Sequence, residues 1–148
     1  MTNTNIPKKF LIINGPNLNK LGTREPEIYG SLTLQEVINY TEQKLSQKNC
    51  SCTWFQSNIE GELINRIQLA VDQDFNALVI NPGGYSHTSV ALFDALQMIK
   101  IPIIEVHISN THKREEFRQV KLTAKASTII MEGLGKDAYL MAITSQLL

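Results

Sequence analysis

The sequence has few of the features that would set it apart from ordinary globular proteins. Only two of its 148 residues are cysteines, Cys50 and Cys52, and we interpret both as reduced structural thiols rather than a disulfide framework. Charge of either sign is not in excess, because 14 basic and 14 acidic residues sum to zero, so we expect no nucleic acid partner. Apolar runs stay well short of the roughly 18 residues that a membrane span needs, so we expect no membrane partner either.

What is present is typical of one globular domain. Hydrophobic residues make up 43% of the chain and charged residues 19%, which excludes a disordered chain. The length suits a single domain over residues 1–148, with a polar N-terminal tail at 1–8. Lys8 and Lys9 precede an apolar run, but Asn14 ends it too early for a signal peptide, so we expect a cytoplasmic protein.

Apolar runs of strand length alternate with segments whose apolar residues recur at helical spacing. This alternation predicts an α/β fold, a doubly wound parallel sheet of five strands. The third run is continuously apolar, as a strand covered on both faces should be. The predicted strands are 9–14, 51–56, 77–81, 103–107 and 128–132.

The segments between the predicted strands indicate helices. Thr33 and Glu36 have the spacing of a capping box, which opens a helix to about Lys48. Apolar stripes predict two further helices and a last one that closes the chain. These helices cover 63–71, 90–99 and 138–147, and a shorter one is predicted over 114–118.

The first connection, residues 15–31, is unusually long, since a loop between strand and helix usually has about 2 to 6 residues. We interpret it as an active-site lid. In open α/β sheets, ligands bind beyond the carboxyl ends of the strands, and polar clusters follow four of the predicted strands. We expect one cleft to gather these clusters, at 14–17, 56–58, 81–87 and 107–110.

Two titratable residues stand out in the fourth predicted strand. Glu105 and His107 are two positions apart and so share a face, where the carboxylate fixes the tautomer of the imidazole. The pair is either catalytic or a buried acid and base satisfied by neighbouring backbone. A metal site that adds His87 or His112 is a third interpretation, although no known ligand spacing supports it.

Three further patterns indicate anion binding. Residues 81–87 and the helix after them offer backbone N–H groups, or simply form a tight turn. Residues 133–138 match the dinucleotide motif G-x-G-x-x-A, but no further strand or ribose-binding acid follows, so we expect no dinucleotide there. Arg114 and Arg118 are four apart and either clamp a carboxylate or are solvated.

Several sequence blocks occur together in the order and approximate spacing of one known family. The early blocks are INGPNLN at 13–19, GTREP at 22–26 and YG at 29–30. Later blocks are QSN at 56–58, EGE at 60–62, NPGG at 81–84, HTS at 87–89, EVHISN at 105–110 and REEFR at 114–118. From about residue 10 to its C-terminus the chain therefore resembles the type II 3-dehydroquinate dehydratases.

This resemblance implies a flavodoxin-like fold and the reversible dehydration of 3-dehydroquinate to 3-dehydroshikimate in the shikimate pathway. It also implies no metal or organic cofactor, and a homododecamer built as a tetramer of trimers. Removing a proton beside a ketone needs a base, stabilisation of the enolate and an acid for the departing hydroxyl, and the family supplies these groups.

The resemblance assigns those roles residue by residue. Tyr29 is the base; because tyrosine ordinarily ionises at about pH 10, a cation must stabilise its phenolate, and Arg24 is expected beside it in the closed lid. Asn17 helps to hold the enolate through a water. His107, oriented by Glu105, protonates the leaving hydroxyl.

The resemblance also assigns the residues that hold the substrate and places Asp94 in the site of a neighbouring subunit, although an exposed helix acid would look the same in sequence. Residues 119–124 (QVKLTA) depart from the family, which has a serine- and tyrosine-containing stretch there, and Ala138 stands where glycine is usual. Glu132 is a lone charge in an otherwise apolar strand. The predicted substrate-binding residues are Asn81, Gly83, His87, Ile108, Ser109, Arg114, Arg118 and Asp94.

Two other functions stay open on the sequence alone. One is a non-catalytic module that binds a small anion in the same cleft, although the presence of Tyr29, Arg24 and His107 together argues against it. The other is a nucleotide-binding oxidoreductase, which rests only on residues 133–138. Failure of nicotinamide cofactors to raise the thermal stability would exclude that function, because a bound ligand stabilises the fold by mass action.

Overall fold

A computed structural model describes residues 5–148 of the chain. Its centre is a sheet of five parallel strands in the order β2-β1-β3-β4-β5, the order of flavodoxin-like doubly wound folds. The predicted sheet is therefore confirmed, and every strand begins and ends within one residue of its expected position. The strands are β1 (Lys8–Asn14), β2 (Cys50–Gln56), β3 (Ala77–Asn81), β4 (Ile103–His107) and β5 (Ile129–Glu132).

Helices connect the strands, and the capping box of the second helix is confirmed: Glu36 N donates to Thr33 Oγ1 at 3.1 Å and Thr33 N donates to Glu36 Oε2 at 2.8 Å. Within residues 5–148, no helix is long and apolar enough to cross a membrane. The α-helices are α1 (Pro26–Tyr29), α2 (Leu34–Leu45), α3 (Glu60–Val71), α4 (Tyr85–Thr88), α5 (Val90–Leu96) and α6 (Ala138–Ser145). Short 3-10 helices cover Leu18–Lys20, Thr111–Lys113, Glu116–Gln119, Thr123–Ala126 and Gly135–Asp137.

The hydrophobic core lies on both faces of the sheet. Alternate residues of β1 point to opposite faces, so Phe10 and Ile12 pack with α2 and α6, whereas Leu11 and Ile13 pack with α3 and α5. All of β3 is buried, as its continuous apolar run predicts. Each fully buried valine, leucine, isoleucine or phenylalanine of this core contributes about 1.5–3 kcal/mol to folding. The packed core thereby fixes the strand ends that carry the polar clusters.

The two cysteines are free thiols that pack against the α2 and α6 side of the core. Burial raises the pKa of Cys52 to about 12. Such a thiol stays protonated and unreactive at neutral pH, in agreement with the structural role expected from the sequence.

The predicted helix over 114–118 is wrong. Arg114 has an extended backbone and ends one 3-10 turn, and a second turn begins only at Glu116. A side chain rather than a helical ladder braces this stretch, because Gln119 Nε2 donates to the carbonyl oxygen of Thr111 at 2.8 Å. Arg114 and Arg118 therefore do not share a helix face.

The glycine motif at 133–138 forms the turn between β5 and α6. Gly133 and Gly135 have positive φ, which glycine adopts readily. Their N–H groups donate to the carbonyl oxygens of His107 and Ile108, each at 3.1 Å. A dinucleotide would need such N–H groups for its phosphates, so the motif here serves to join β5 and α6 to the end of β4.

Candidate active site

The carboxyl ends of β1, β3 and β4 meet residues 15–31 at a cavity of about 100 Å³. Two of the thirteen predicted site residues do not line it: Glu105 lies buried behind His107, and Asp94 is exposed on α5. Of the four polar clusters expected in one cleft, three contribute to this cavity, and residues 56–58 after β2 do not line it. The eleven that line the cavity are Asn17, Arg24, Tyr29, Asn81, Gly83, His87, His107, Ile108, Ser109, Arg114 and Arg118.

Glu105 and His107 form a buried pair on one face of β4, as their spacing predicts. His107 Nε2 lies 2.8 Å from Glu105 Oε2, and since a carboxylate only accepts, Nε2 carries the proton. Glu105 is fully buried and also accepts hydrogen bonds from Ser86 Oγ at 3.1 Å and from Thr123 Oγ1. The ring is thereby held in one orientation, and its Nδ1, which has no partner among residues 5–148, is left for a ligand.

His87 stacks beside this pair, with its ring centroid 6.4 Å from that of His107. Its Nδ1 donates to the carbonyl oxygen of Val120 at 2.7 Å. Burial lowers the pKa of His87, against the opposing effect of that hydrogen bond. His87 is therefore neutral at neutral pH, and its Nε2 is an acceptor for a ligand hydroxyl.

Tyr29 ends α1 and lies between two guanidinium groups. Arg114 Nη1 donates to its hydroxyl at 2.5 Å, and the guanidinium carbons of Arg24 and Arg114 lie 4.8 Å and 5.0 Å from its ring centroid. The expected proximity of Arg24 to Tyr29 is confirmed. The direct partner of the hydroxyl is Arg114, however, which the sequence placed only on the cleft side.

The floor of the cavity is a buried polar network that the sequence did not reveal. Tyr139 is fully buried in α6; its hydroxyl donates to Asn14 Oδ1 and accepts from Asn81 Nδ2 at 3.1 Å. The other end of the Asn81 amide accepts from Gly83 N at 3.2 Å. Burial raises the pKa of Tyr139, so this hydroxyl stays protonated and fixes both amides.

Asn17 has a left-handed backbone with φ of 68°, a conformation that asparagine tolerates better than most residues. Its backbone N–H donates to Asn58 Oδ1 at 2.9 Å. Because the turn is held through the main chain, the side chain of Asn17 is available at the cavity wall.

A second, larger cavity of about 850 Å³ lies on the other side of Tyr29 and Arg114. Much of its wall is apolar, including Leu21, Ile28 and Leu32, and neither His87 nor His107 reaches it. The smaller cavity is therefore the candidate active site, since of the two cavities only it is lined by His107 together with Tyr29 and both guanidinium groups.

The metal interpretation of Glu105 and His107 is not supported by the donor geometry. His112 points to Glu132 Oε2 at 3.2 Å rather than towards the acid pair. Among residues 5–148, no group of three or more His, Cys, Asp or Glu side chains could hold a metal ion.

Comparisons with known proteins show which family the chain is similar to. The sequence model of the family described as Dehydroquinase class II matches residues 8–147. A 3-dehydroquinate dehydratase of Clostridium perfringens is 47% identical over 137 residues, 93% of this chain and 95% of that protein. The crystal structure of a type II dehydroquinase from Butyrivibrio crossotus matches with a TM-score of 0.92 and 42% identity, over 95% of this chain and 97% of that one. A second, from Propionibacterium acnes, matches with a TM-score of 0.90 and 35% identity, over 96% and 97%.

Proposed function

The chain belongs to the class II dehydroquinases, and we propose that it catalyses the reversible removal of water from 3-dehydroquinate to give 3-dehydroshikimate, a hydro-lyase step of the shikimate pathway. The observation that carries this proposal is the meeting of an oriented imidazole and a tyrosine between two guanidiniums at one small cavity. Stepwise elimination needs both kinds of group, one to take a proton and one to give it.

We assign the first step to Tyr29, which takes the proton beside the ketone of the substrate. The two arginines place positive charge beside Tyr29, and opposite unit charges about 4 Å apart attract each other by about 4 kcal/mol at an effective dielectric constant of about 20. Arg114 donates directly to the oxygen that would carry the charge, and Arg24 lies over the ring. Asn17 then helps to hold the enolate oxygen through a water.

We assign the second step to His107, which gives a proton to the departing hydroxyl so that neutral water leaves. The ring must be doubly protonated to act as the acid; Nδ1 then carries the proton that is transferred, because Nε2–H stays bound to Glu105. The buried carboxylate of Glu105 fixes the tautomer and lies where it balances the charge of the protonated ring.

The remaining cavity residues would hold the hydroxyls and the carboxylate of the substrate. His87 offers an acceptor nitrogen, and the amide of Asn81 is already aligned by Tyr139. Arg118 uses its Nε to pair with Glu115 at 2.6 Å, which leaves its terminal nitrogens for the carboxylate. Ile108, Ser109 and Gly83 complete this wall.

We further propose a homododecamer, a tetramer of trimers, acting in the cytoplasm. In this arrangement the exposed carboxylate of Asp94 on α5 reaches the substrate of a neighbouring subunit. Light scattering should then give twelve chains, and Asp94→Asn should raise KM while the assembly persists. A monomer with full activity would contradict both statements.

The first experiment is a continuous ultraviolet assay for the conjugated product after 3-dehydroquinate is added to metal-stripped protein. A parallel sample is treated with borohydride, which would trap an imine. We expect turnover to survive both treatments, since the proposed chemistry uses neither a metal nor an imine. A folded protein without turnover would instead support the alternative function, a non-catalytic module that binds a small anion. The comparisons do not favour that alternative.

A further inference from the structure

Glu132 is the only charged residue of β5, and the proposed reaction gives it no role. Its side chain is 13% exposed. Oε1 accepts from Lys121 Nζ and from Thr111 Oγ1, each at 2.8 Å, and Oε2 accepts from His112 Nδ1 at 3.2 Å. All of these partners belong to one stretch of chain, residues 111–121, which we call the arginine segment.

The arginine segment carries three contacts of the candidate site. Arg114 donates to the hydroxyl of Tyr29, Arg118 lines the cavity, and the carbonyl oxygen of Val120 accepts from His87. Yet the segment contains only two short 3-10 turns. Since so few backbone hydrogen bonds fix it, side-chain contacts must determine where its arginines lie.

We propose that Glu132 and Lys121 are positioning residues that hold Arg114 on the base and the Val120 carbonyl on His87. One carboxylate binds both ends of the arginine segment, Thr111 at its start and Lys121 at its end. The proposal rests on the function proposed above.

The ion pair between Lys121 and Glu132 is largely buried rather than exposed to solvent. The Lys121 side chain is only 8% exposed, so removal of either partner leaves a largely desolvated charge unpaired. Burial acts to raise the pKa of Glu132, but hydrogen bonds from Lys121 and Thr111 outweigh it and lower that pKa. The carboxylate is therefore ionised at neutral pH.

The proposal predicts a specific kinetic change. When the segment loosens, Arg114 no longer stays on the Tyr29 hydroxyl, so the phenolate is harder to form. The rise of kcat/KM with pH should then move to higher pH, a shift that a pH-independent loss of folded enzyme does not produce. KM should also rise, because His87 and Arg118 lose their alignment.

The test compares Lys121→Met, Glu132→Gln and the double variant K121M/E132Q with the parent in the dehydration assay. We expect each to lower kcat/KM by about tenfold and to shift the pH profile, a tenfold loss being about 1.4 kcal/mol of transition-state stabilisation. Lys121→Arg should keep the profile of the parent, since it keeps the charge. The control is Glu42→Gln, which alters a glutamate that accepts from Trp54 Nε1 at 2.8 Å by β2, at the opposite edge of the sheet.

The double variant distinguishes two causes of lost activity: loss of the contact that positions the arginine segment, and the presence of an unpaired buried charge. It removes both members of the ion pair, so neither charge is left without its partner. Recovery of the parent profile in K121M/E132Q, or the same loss in Glu42→Gln, would overturn the positioning role. So would variants that keep the parent pH profile.

Hydrogen exchange without substrate separates this inference from the proposed function. Amides of residues 111–121 should exchange faster in Lys121→Met and in the double variant, while those of β2 should not. Unchanged exchange in that segment would overturn the inference even in an active enzyme. A parent without turnover would overturn the proposed function. The exchange result would then be the test of whether Glu132 and Lys121 hold the arginine segment in place.

Discussion

The two halves of the candidate site are built in different ways. The half that holds the proposed acid, Glu105 and His107, stands on β4 between two paired strands, and Glu105 is fully buried; we call it the acid half. The half that holds the proposed base, Tyr29 with Arg24 and Arg114, stands on the four-residue helix α1, the loop before it and irregular turns; we call it the base half. Arg24 is 37% exposed at its side chain. The acid is therefore preorganised by the sheet, whereas the base is assembled by side chains from two separate segments.

This difference matches what each half must do. A proton donor depends on a defined tautomer and direction, which a strand with a buried carboxylate provides. A substrate must also enter and leave, and the segment at 15–31 carries Tyr29 on a short helix and loop outside the sheet. Glu25 at the start of α1 has φ of 41°, a left-handed conformation that costs a non-glycine residue about 1–2 kcal/mol. The base half thus stores strain that the acid half does not.

The strongest way to separate the halves is to remove one reactive group from each. Tyr29→Phe and His107→Ala should each lower kcat by about 10²–10⁴, while both variants still bind the product. They should differ in deuterium exchange at the carbon beside the ketone when the substrate is held in heavy water. His107→Ala retains the base and should exchange; Tyr29→Phe should not. Equal exchange in the two variants would contradict a stepwise reaction through an enolate with these roles.

Two glycines test whether the ends of the strands are more rigid than the short helix that carries Tyr29. A Cβ on Gly15 would clash with the carbonyl oxygen of Pro82, which directly follows β3, so Gly15→Ala should destabilise the protein by about 3 kcal/mol. Gly30, at the end of α1, has φ of 85° but open space around it. Gly30→Ala should cost about 1–3 kcal/mol from its backbone conformation alone, because its φ of 85° and ψ of 172° lie in a region that is essentially restricted to glycine. Urea unfolding measures the unfolding free energy of both variants. A larger loss of unfolding free energy in Gly30→Ala than in Gly15→Ala would contradict the greater rigidity of the strand ends.

Much of this architecture was predictable because it follows from local patterns. The strands lie within one residue of their expected positions, since continuous apolar runs have few alternatives in a doubly wound sheet. The pair Glu105 and His107 followed from the two-residue period of a strand. The apolar runs indicate where each strand ends, and the two-residue period indicates which face a side chain occupies. Together they predict which residues meet in the cleft.

What the sequence did not reveal depends on long-range contacts. Thr123 reaches Glu105 from 18 positions away, and Tyr139 reaches Asn14 from 125. No periodicity encodes such pairs. The helix expected over 114–118 failed for the same reason, because Glu132, Lys121 and Gln119 determine the path of that stretch.

A smaller change in the acid half removes one of the two hydroxyl groups that donate to Glu105. Thr123→Val leaves the buried carboxylate with one donor fewer, a loss of about 1–3 kcal/mol, and should lower kcat by about tenfold as the His107 ring loosens. Thr41→Val is the matched control: Thr41 is equally buried, but its hydroxyl donates only to the Val37 carbonyl oxygen in α2. It should lose stability and keep kcat. An unchanged kcat in Thr123→Val would show that Ser86 alone suffices to orient the pair.

The smallest expected effect concerns His87, which lies between the halves. Burial lowers its pKa in the folded protein, so on acidification the unfolded chain takes up a proton first. The stability gained from neutral His87 is therefore complete above its ordinary pKa and declines as pH falls below it. Between about pH 7.5 and about pH 5.5, which spans the ordinary histidine pKa of about 6.5, the parent should lose more unfolding free energy than His87→Gln. Because glutamine does not titrate, an equal loss in both proteins would assign the acid sensitivity to other groups and leave His87 a hydrogen-bond acceptor without a role in stability.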